Sequence, residues 1–205
     1  MATAKQKDAC DLLDADHKAV KKMFNEFEKL TESRGNTRQK KRMLADQICQ
    51  ELTVHAQIEE EIFYPAIRKA IKDELMMAEA EVEHMSAKDL IAQIQEMEAG
   101  DALFDAKVMV LGEYIDHHVK EERNEMFPKA RASKVDLVKM RDALQARKEE
   151  LTAELEEMAD DVLFLADGVA RWQGGVHELK VTSRQPTLER AIAALLSDRA
   201  MLAVA

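Results

Sequence analysis

The sequence predicts an all-α protein, an antiparallel up-down-up-down four-helix bundle followed by a helical C-terminal extension. Three observations carry that expectation. Charged residues make up 34% of the 205 residues and aromatics only 4%, with 6 Gly and 3 Pro, so long helices with few breaks are favoured. Apolar residues recur at spacings of three, four and seven along four segments of similar length. Short polar stretches separate these segments, and short connections between helices of similar length give antiparallel neighbours.

The first helix is expected over about Thr3 to Glu32, with Leu13, Val20, Phe24 and Phe27 on one line and His17 among them. Ser33-Arg34-Gly35-Asn36-Thr37 ends it, because Gly35 and Asn36 suit positive φ. Thr37 starts the second helix, whose face carries Leu44, Ile48, Leu52, His55, Glu59 and Ile62, and Pro65 is expected to kink or end it. The third, roughly Glu74 to Ala99, presents Met77, Ala80, His84, Ala87, Ile91 and Ile94. The fourth, roughly Ala102 to Ala130, presents Phe104, Val108, Leu111, Ile115, His118 and Glu122. The bundle domain is therefore placed at residues 1–131.

Residues 132–205 read as the extension. Ser133 or Asp136 is expected to cap a long amphipathic helix reaching about Trp172, on the heptad-like line Leu137, Leu144, Leu151, Leu155, Met158, Val162, Leu165, Val169, Trp172. Gly174-Gly175 breaks that line, a polar stretch runs through Pro186, and a short helix with Leu188, Ile192, Leu195 and Leu202 closes the sequence. The long stripe suits a homodimer coiled coil, a protein partner, or a fold back onto the bundle.

The bundle contains an internal repeat. His55 is followed by Glu59, Tyr64 and Pro65, and His118 by Glu122, Phe127 and Pro128, with the same offsets of four, nine and ten. Glu at i+4 lies on the same helix face as its His. Asp16-His17 precedes His55 as Glu83-His84 precedes His118, so each half is a helical hairpin offering His from one helix and His-x3-Glu from the next. A single His on an apolar face is usually a hydrogen-bonded core residue. Four of them with two glutamates on inward faces are harder to explain that way, since buried carboxylates are costly unless paired or metal-bound.

His17, His55, Glu59, His84, His118 and Glu122 are therefore the candidate metal ligands. Four imidazoles and two carboxylates suit two iron ions, with manganese or zinc a poorer match. Bridging glutamates would give each ion two His and shared carboxylates, leaving room for an oxo or hydroxo bridge and an exogenous ligand such as dioxygen, peroxide or nitric oxide. Cys10 and Cys49 sit on opposite sides of the histidine level, about 20 Å apart along the bundle at ~1.5 Å per residue, so they are expected as free thiols. His117 could replace His118 as a ligand, but only His118 aligns both Glu and Pro with the first copy. Tyr114, one turn from His118, reads first as core packing, with a pocket wall or a metal ligand as alternatives. Glu60, Glu61, Glu121 and Glu125 read as a solvated acidic face, or one of them as a residue that backs a metal ligand or guides iron entry.

The net charge of −10 speaks against nucleic-acid partners and anionic membranes. No apolar run approaches the roughly 20 residues needed to span a bilayer. Met1 to Cys10 is polar with no apolar core of a secretory signal, so a cytoplasmic location is expected.

The pattern resembles the hemerythrin-like HHE cation-binding domains over about Asp11 to Lys129. The matching residues are Asp16-His17, His55-x3-Glu59 with Phe63-Tyr64-Pro65, Glu83-His84, and His117-His118 with Glu121-Glu122 and Phe127-Pro128. The resemblance implies a non-haem di-iron centre in a four-helix bundle, held by the six residues named above. The sequence differs from oxygen-carrying hemerythrins, which have His-x3-His on the third helix and His-x4-Asp on the fourth. Here Lys88 stands four residues after His84, and His118 is followed by Glu122. The pattern is more similar to bacterial iron-centre repair and stress-response members. The leading expectation is a protein that binds or reacts with O2, NO or peroxide in stress response or sensing. A sensor signalling its metal state through the tail, and an iron storage or donation protein, are the alternatives.

Overall fold

The computed structural model describes residues 6–157, 161–166, 169–185 and 188–197. In chain order come α1 (Ala9–Glu32), α2 (Arg38–Ile58), a π turn (Glu59–Phe63), α3 (Tyr64–Ile71), α4 (Glu74–Gln95), α5 (Phe104–Glu121), a second π turn (Glu122–Met126), α6 (Phe127–Ala132) and α7 (Leu137–Glu157).

The long helices α1, α2, α4 and α5 pack in a closed ring, α1 on α2, α2 on α4, α4 on α5 and α5 on α1. His17, His55, His84 and His118 meet at one level of this ring. At the other end Phe27 packs on Phe104, ring centroids 6.2 Å apart, and Arg42 donates to the carbonyls of Ile94 and Gln95. The chain therefore runs away from the histidines in α1 and α4 and back toward them in α2 and α5, the predicted antiparallel order. Between the two levels lies the apolar core of Val20, Phe27, Ile48, Leu52, Ile91, Ile94, Phe104, Val108 and Leu111. Each such side chain contributes roughly 1.5–3 kcal/mol on burial, enough in sum to offset polar groups buried nearby.

Local signals set the ends. α1 starts at Ala9 because Asp8 and Asp11 form a reciprocal capping box, with hydrogen bonds of 3.0 and 2.9 Å. Arg131 at the end of α6 donates to both carboxylates at 2.8 to 3.0 Å and ties the bundle's last turn to its first. Asp136, not Ser133, caps α7 by accepting from the Lys139 amide at 3.0 Å.

Pro65 interrupts the regular α-helix, as expected, but the helical path continues past it. A proline inside an α-helix lacks a donor and clashes with the carbonyl four residues back. Here the turn just before it widens into a π turn, the Tyr64 amide bonding Glu59 O five residues back, and the helix continues as α3. The second repeat does the same, with Phe127 bonding Glu122 O ahead of Pro128.

The tail corrects the sequence reading of residues 132–205. α7 stops at Glu157 instead of running to Trp172. Strands β1 (Asp161–Ala166) and β2 (Val169–Gly175) then pair antiparallel from Asp161↔Gly175 to Ala166↔Val169, with an irregularity at Phe164/Leu165. The heptad line through this region is a coincidence of spacing. Two short runs rich in apolar residues, 162–166 and 169–172, suit paired strands, and that local pattern prevails over the seven-residue period. The polar stretch contains a further helix, α8 (Val176–Ser183), and α9 (Leu188–Ser197) follows. Leu179, Ala191 and Leu195 form their shared core, with Trp172 partly buried against it. Leu202, expected on the last helix, lies outside the described residues. The chain divides into compact units Met1–Lys148 and Glu149–Ala205, so the first half of α7, beyond the expected boundary at 131, groups with the bundle. Among the described residues no helix is long and apolar enough to cross a membrane.

Candidate metal centre

The antiparallel ring brings all six candidate ligands to one point, and each is buried, Glu59 fully and Glu122 to 1% exposure. Helix α1 supplies His17, α2 supplies His55, α4 supplies His84 and α5 supplies His118. The two glutamates are each the first residue of a π turn. Such turns inside α-helices are frequent at functional sites, and here the widened turn follows the carboxylate in both repeats.

The imidazoles form two pairs, one from each hairpin. His17 Nε2 and His55 Nε2 are 2.8 Å apart, and His84 Nε2 and His118 Nε2 are 3.2 Å apart. Both carboxylates span the pairs. Glu59 reaches His55 at 3.3 Å with Oε1 and His84 at 3.5 Å with Oε2. Glu122 Oε2 lies 3.2 Å from His17 and 3.7 Å from His118. The ligand atoms of His17, His55, Glu59 and Glu122 form one metal-sized group, and those of Glu59, His84 and His118 a second sharing Glu59.

The outer ring nitrogens decide which way the lone pairs face. His84 Nδ1 donates to Glu60 Oε1 at 2.9 Å and His118 Nδ1 to Glu83 Oε2 at 2.7 Å. His55 Nδ1 faces Asp16 Oδ2 at 3.5 Å. A proton on Nδ1 leaves Nε2 bare, so His84 and His118 in their neutral forms turn lone pairs toward each other and toward buried carboxylates. Glu59 Oε1 and Glu122 Oε2 have no hydrogen-bond partner. Converging lone pairs and unsatisfied carboxylate oxygens repel one another unless cations lie between them, and they fit a pair of metal ions.

In the metal-free chain protons take the place of those cations. Burial disfavours charge on His55, but Glu59 and Asp16 outweigh it and raise its pKa to about 10. His118 rises against the same desolvation to about 9, through Glu122 and Glu83. Burial and the Glu59 charge push Glu122 up to about 8. Burial also works against ionisation of Glu59, yet His55 and His84 hold it well below the usual carboxylate range. His17 is driven down to about 3 by burial and the His55 charge.

Sequence reasoning missed Tyr64. Its hydroxyl lies 3.0 Å from His84 Nε2, 3.1 Å from Glu122 Oε1, 3.3 Å from His118 Nε2 and 3.4 Å from Glu59 Oε2. Burial, with the two carboxylates, keeps its phenol well above the usual pKa, hence neutral. The signal was present in the repeat, where Tyr64 stands one residue before Pro65 as Phe127 stands before Pro128. Phe127 instead stacks parallel to His17, centroids 6.1 Å apart. Tyr114, the tyrosine weighed from sequence, is half exposed and away from the centre. His117 is exposed and pairs with Glu121 and Glu83, so the register chosen from the repeat places His118 inward. Glu60 is no plain surface acid, since it backs His84 and accepts from Lys88 at 2.6 and 2.7 Å. The acid preceding each first-helix histidine backs the second-helix histidine of its own repeat, Asp16 for His55 and Glu83 for His118.

Next to the imidazoles is a cavity of about 30 Å³, lined by His17, His55, His84, His118 and the apolar Val20, Leu52, Ala87, Ile91, Ile115 and Val119. A second hollow of about 270 Å³ between α1 and α5 is open to solvent and shares His17, Ile115 and Val119 with it. Cys10 and Cys49 are buried free thiols, raised by burial to about 12 and about 11.

The family model described as the hemerythrin HHE cation binding domain matches residues 8–130. This chain belongs to the hemerythrin HHE cation-binding family. A hemerythrin HHE cation binding domain-containing protein from Mycobacterium kansasii shares its fold, with a TM-score of 0.60 over 90% of this chain and 99% of that one at 19% identity. A DNA nickase of Nostoc sp. (strain PCC 7120) is 30% identical over 117 residues, 57% of this chain. The chain spans 32% of that relative's length.

Proposed function

We propose that this HHE protein holds two iron ions and binds or reacts with a small ligand, dioxygen, nitric oxide or peroxide, in stress response or sensing. The observation that carries this reading is the cavity of about 30 Å³ against all four imidazoles, with otherwise mostly aliphatic walls. It has the capacity of roughly one to two water-sized molecules, which suits a diatomic ligand. Imidazole and carboxylate donors without a thiolate favour iron over a structural zinc site.

When bound, the ions would supply redox-active Lewis acids with coordination positions left for the ligand. His17 with His55, and His84 with His118, would each hold one ion, with Glu59 and Glu122 supplying the carboxylates. The chain's own residues do the rest. Glu60 and Glu83 fix the His84 and His118 rings through Nδ1, and Asp16 faces the His55 Nδ1 at 3.5 Å. Val20, Leu52, Ile91 and Ile115 limit water near the imidazoles. Tyr64 holds a neutral O–H within reach of Glu122 and can donate a hydrogen bond where negative charge gathers on the second pair. The nickase activity of the Nostoc relative is not carried over, because a net charge of −10 offers little to a phosphate backbone.

Elemental analysis with absorption spectroscopy tests this, before and after dithionite and then with nitric oxide or peroxide. Two irons per chain, near-ultraviolet bands that bleach on reduction, and a spectrum altered by one of these ligands are expected. One zinc, or no metal, overturns it. Iron lost to mild chelators with no ligand response indicates storage or donation instead.

A further inference from the structure

Two of the carboxylates behind the imidazoles are themselves held by lysines, and these lysines come from different places. Glu60, behind His84, is held by Lys88 of α4, a bundle helix. Asp16, behind His55, is held by Lys148 of α7, whose Nζ lies 2.7 Å from Asp16 Oδ1 and 3.9 Å from Glu51 on α2. The Lys148 side chain is 23% exposed and that of Asp16 15%. The contact joins residues 132 positions apart. The preceding residue, Arg147, donates to Glu61 Oε2 at 2.7 Å and Oε1 at 3.3 Å, in the π turn that begins with Glu59.

We infer that α7 is a working part of the metal centre, and that Lys148 is a positioning residue acting on the metal ligand His55 through Asp16. The inference rests on the di-iron reading and adds to it a control of that site from outside the four-helix ring. A carboxylate behind a metal-bound imidazole makes the ring a stronger donor. A lysine behind the carboxylate draws that electron density back and fixes the carboxylate's orientation. Lys88 and Lys148 thus temper His84 and His55 in the same way, one in each half of the site. The bundle helices provide for the His84 side. The His55 side depends on α7, which continues past Lys148 into the second compact unit.

The test uses the full chain with Lys148→Met and Lys148→Arg, and Lys88→Met as the control on the other half. Two readings are taken, the reduction potential of the iron-loaded protein and the imidazole 15N resonances of the metal-free protein. With Lys148→Met, iron content stays at the wild-type value, the potential moves negative, and the His55 resonances shift while those of His84 hold. Lys148→Arg restores both. Lys88→Met shifts His84 instead. The inference is overturned if Lys148→Met leaves potential and resonances as in wild type, if Lys148→Arg changes them as much, or if His84 moves as far as His55. Should the wild-type chain take up no iron, the di-iron reading fails on its own, and the metal-free resonances still decide the part played by Lys148.

Discussion

Tyr64 and Phe127 occupy equivalent positions in the two repeats, yet only Tyr64 brings a polar atom to the centre. Its hydroxyl lies 3.1 Å from Glu122 Oε1 and 3.0 Å from His84 Nε2, while the Phe127 ring lies parallel to His17 with centroids 6.1 Å apart. Two halves built alike thus differ by one oxygen at the His84/His118 pair.

Tyr64→Phe is expected to keep two irons per chain and to alter the absorption spectrum and the rate of reaction with peroxide or nitric oxide. It removes one oxygen with little change of shape, and loss of one buried hydrogen bond costs on the order of 1 kcal/mol in the metal-free fold. A spectrum and rate identical to wild type would assign Tyr64 to packing alone.

The two glutamates predict an asymmetry in the metal-free protein. Glu122, pushed up to about 8, is largely protonated at neutral pH, so Glu122→Gln replaces one neutral group by another and should change stability little. Glu59 is ionised beside His55 and His84, so Glu59→Gln leaves a buried positive charge uncompensated and should cost about 3–5 kcal/mol. Urea unfolding of the two apo variants measures this, and equal losses would refute it. With iron present, both variants should bind metal more weakly.

Metal uptake should tighten as pH rises. Metal-free His55, His118 and Glu122 hold protons with pKa values of about 10, 9 and 8, and those protons must leave before the atoms can bind a cation. At pH 7 the free protein therefore carries more protons than the loaded one, and the apparent affinity grows through pH 7 to 10, levelling above the His55 value. Chelator competition at several pH values, with proton release followed by calorimetry, checks the sign. A flat or falling affinity contradicts it.

Bound iron should stabilise the fold. Metal at 1,000 times its dissociation constant contributes about 4 kcal/mol if it binds the folded chain alone. Thermal melts with and without iron should show this gain in wild type and lose most of it in His55→Ala and His118→Ala. Equal melting temperatures with and without iron in the wild type would mean that no metal occupies the centre under those conditions.

Much of the centre was legible in the sequence because its signal is periodic. His and Glu four apart share a helix face wherever the helix runs, and the repeat around Pro65 and Pro128 chose His118 over His117 without coordinates. The functions of Asp16, Glu60, Glu83 and Tyr64 were not legible. An acid that backs a histidine across the bundle is not distinguished from surface charge by spacing, since its partner lies on another helix. The tail was misread for a related reason, the heptad line from Leu137 continuing by chance into residues whose local chemistry favours a hairpin.

By itself the sequence determined four amphipathic helices, their antiparallel order, and the six side chains that turn inward, because helix periodicity and short connections leave few other ways to bury those faces. The tertiary structure decided which nitrogen of each imidazole faces the centre, that one phenol breaks the symmetry of the halves, and that α7 sets Lys148 on Asp16. Those outcomes depend on distances between residues up to 132 positions apart. Such distances arise only when the helices pack, and no local propensity encodes them.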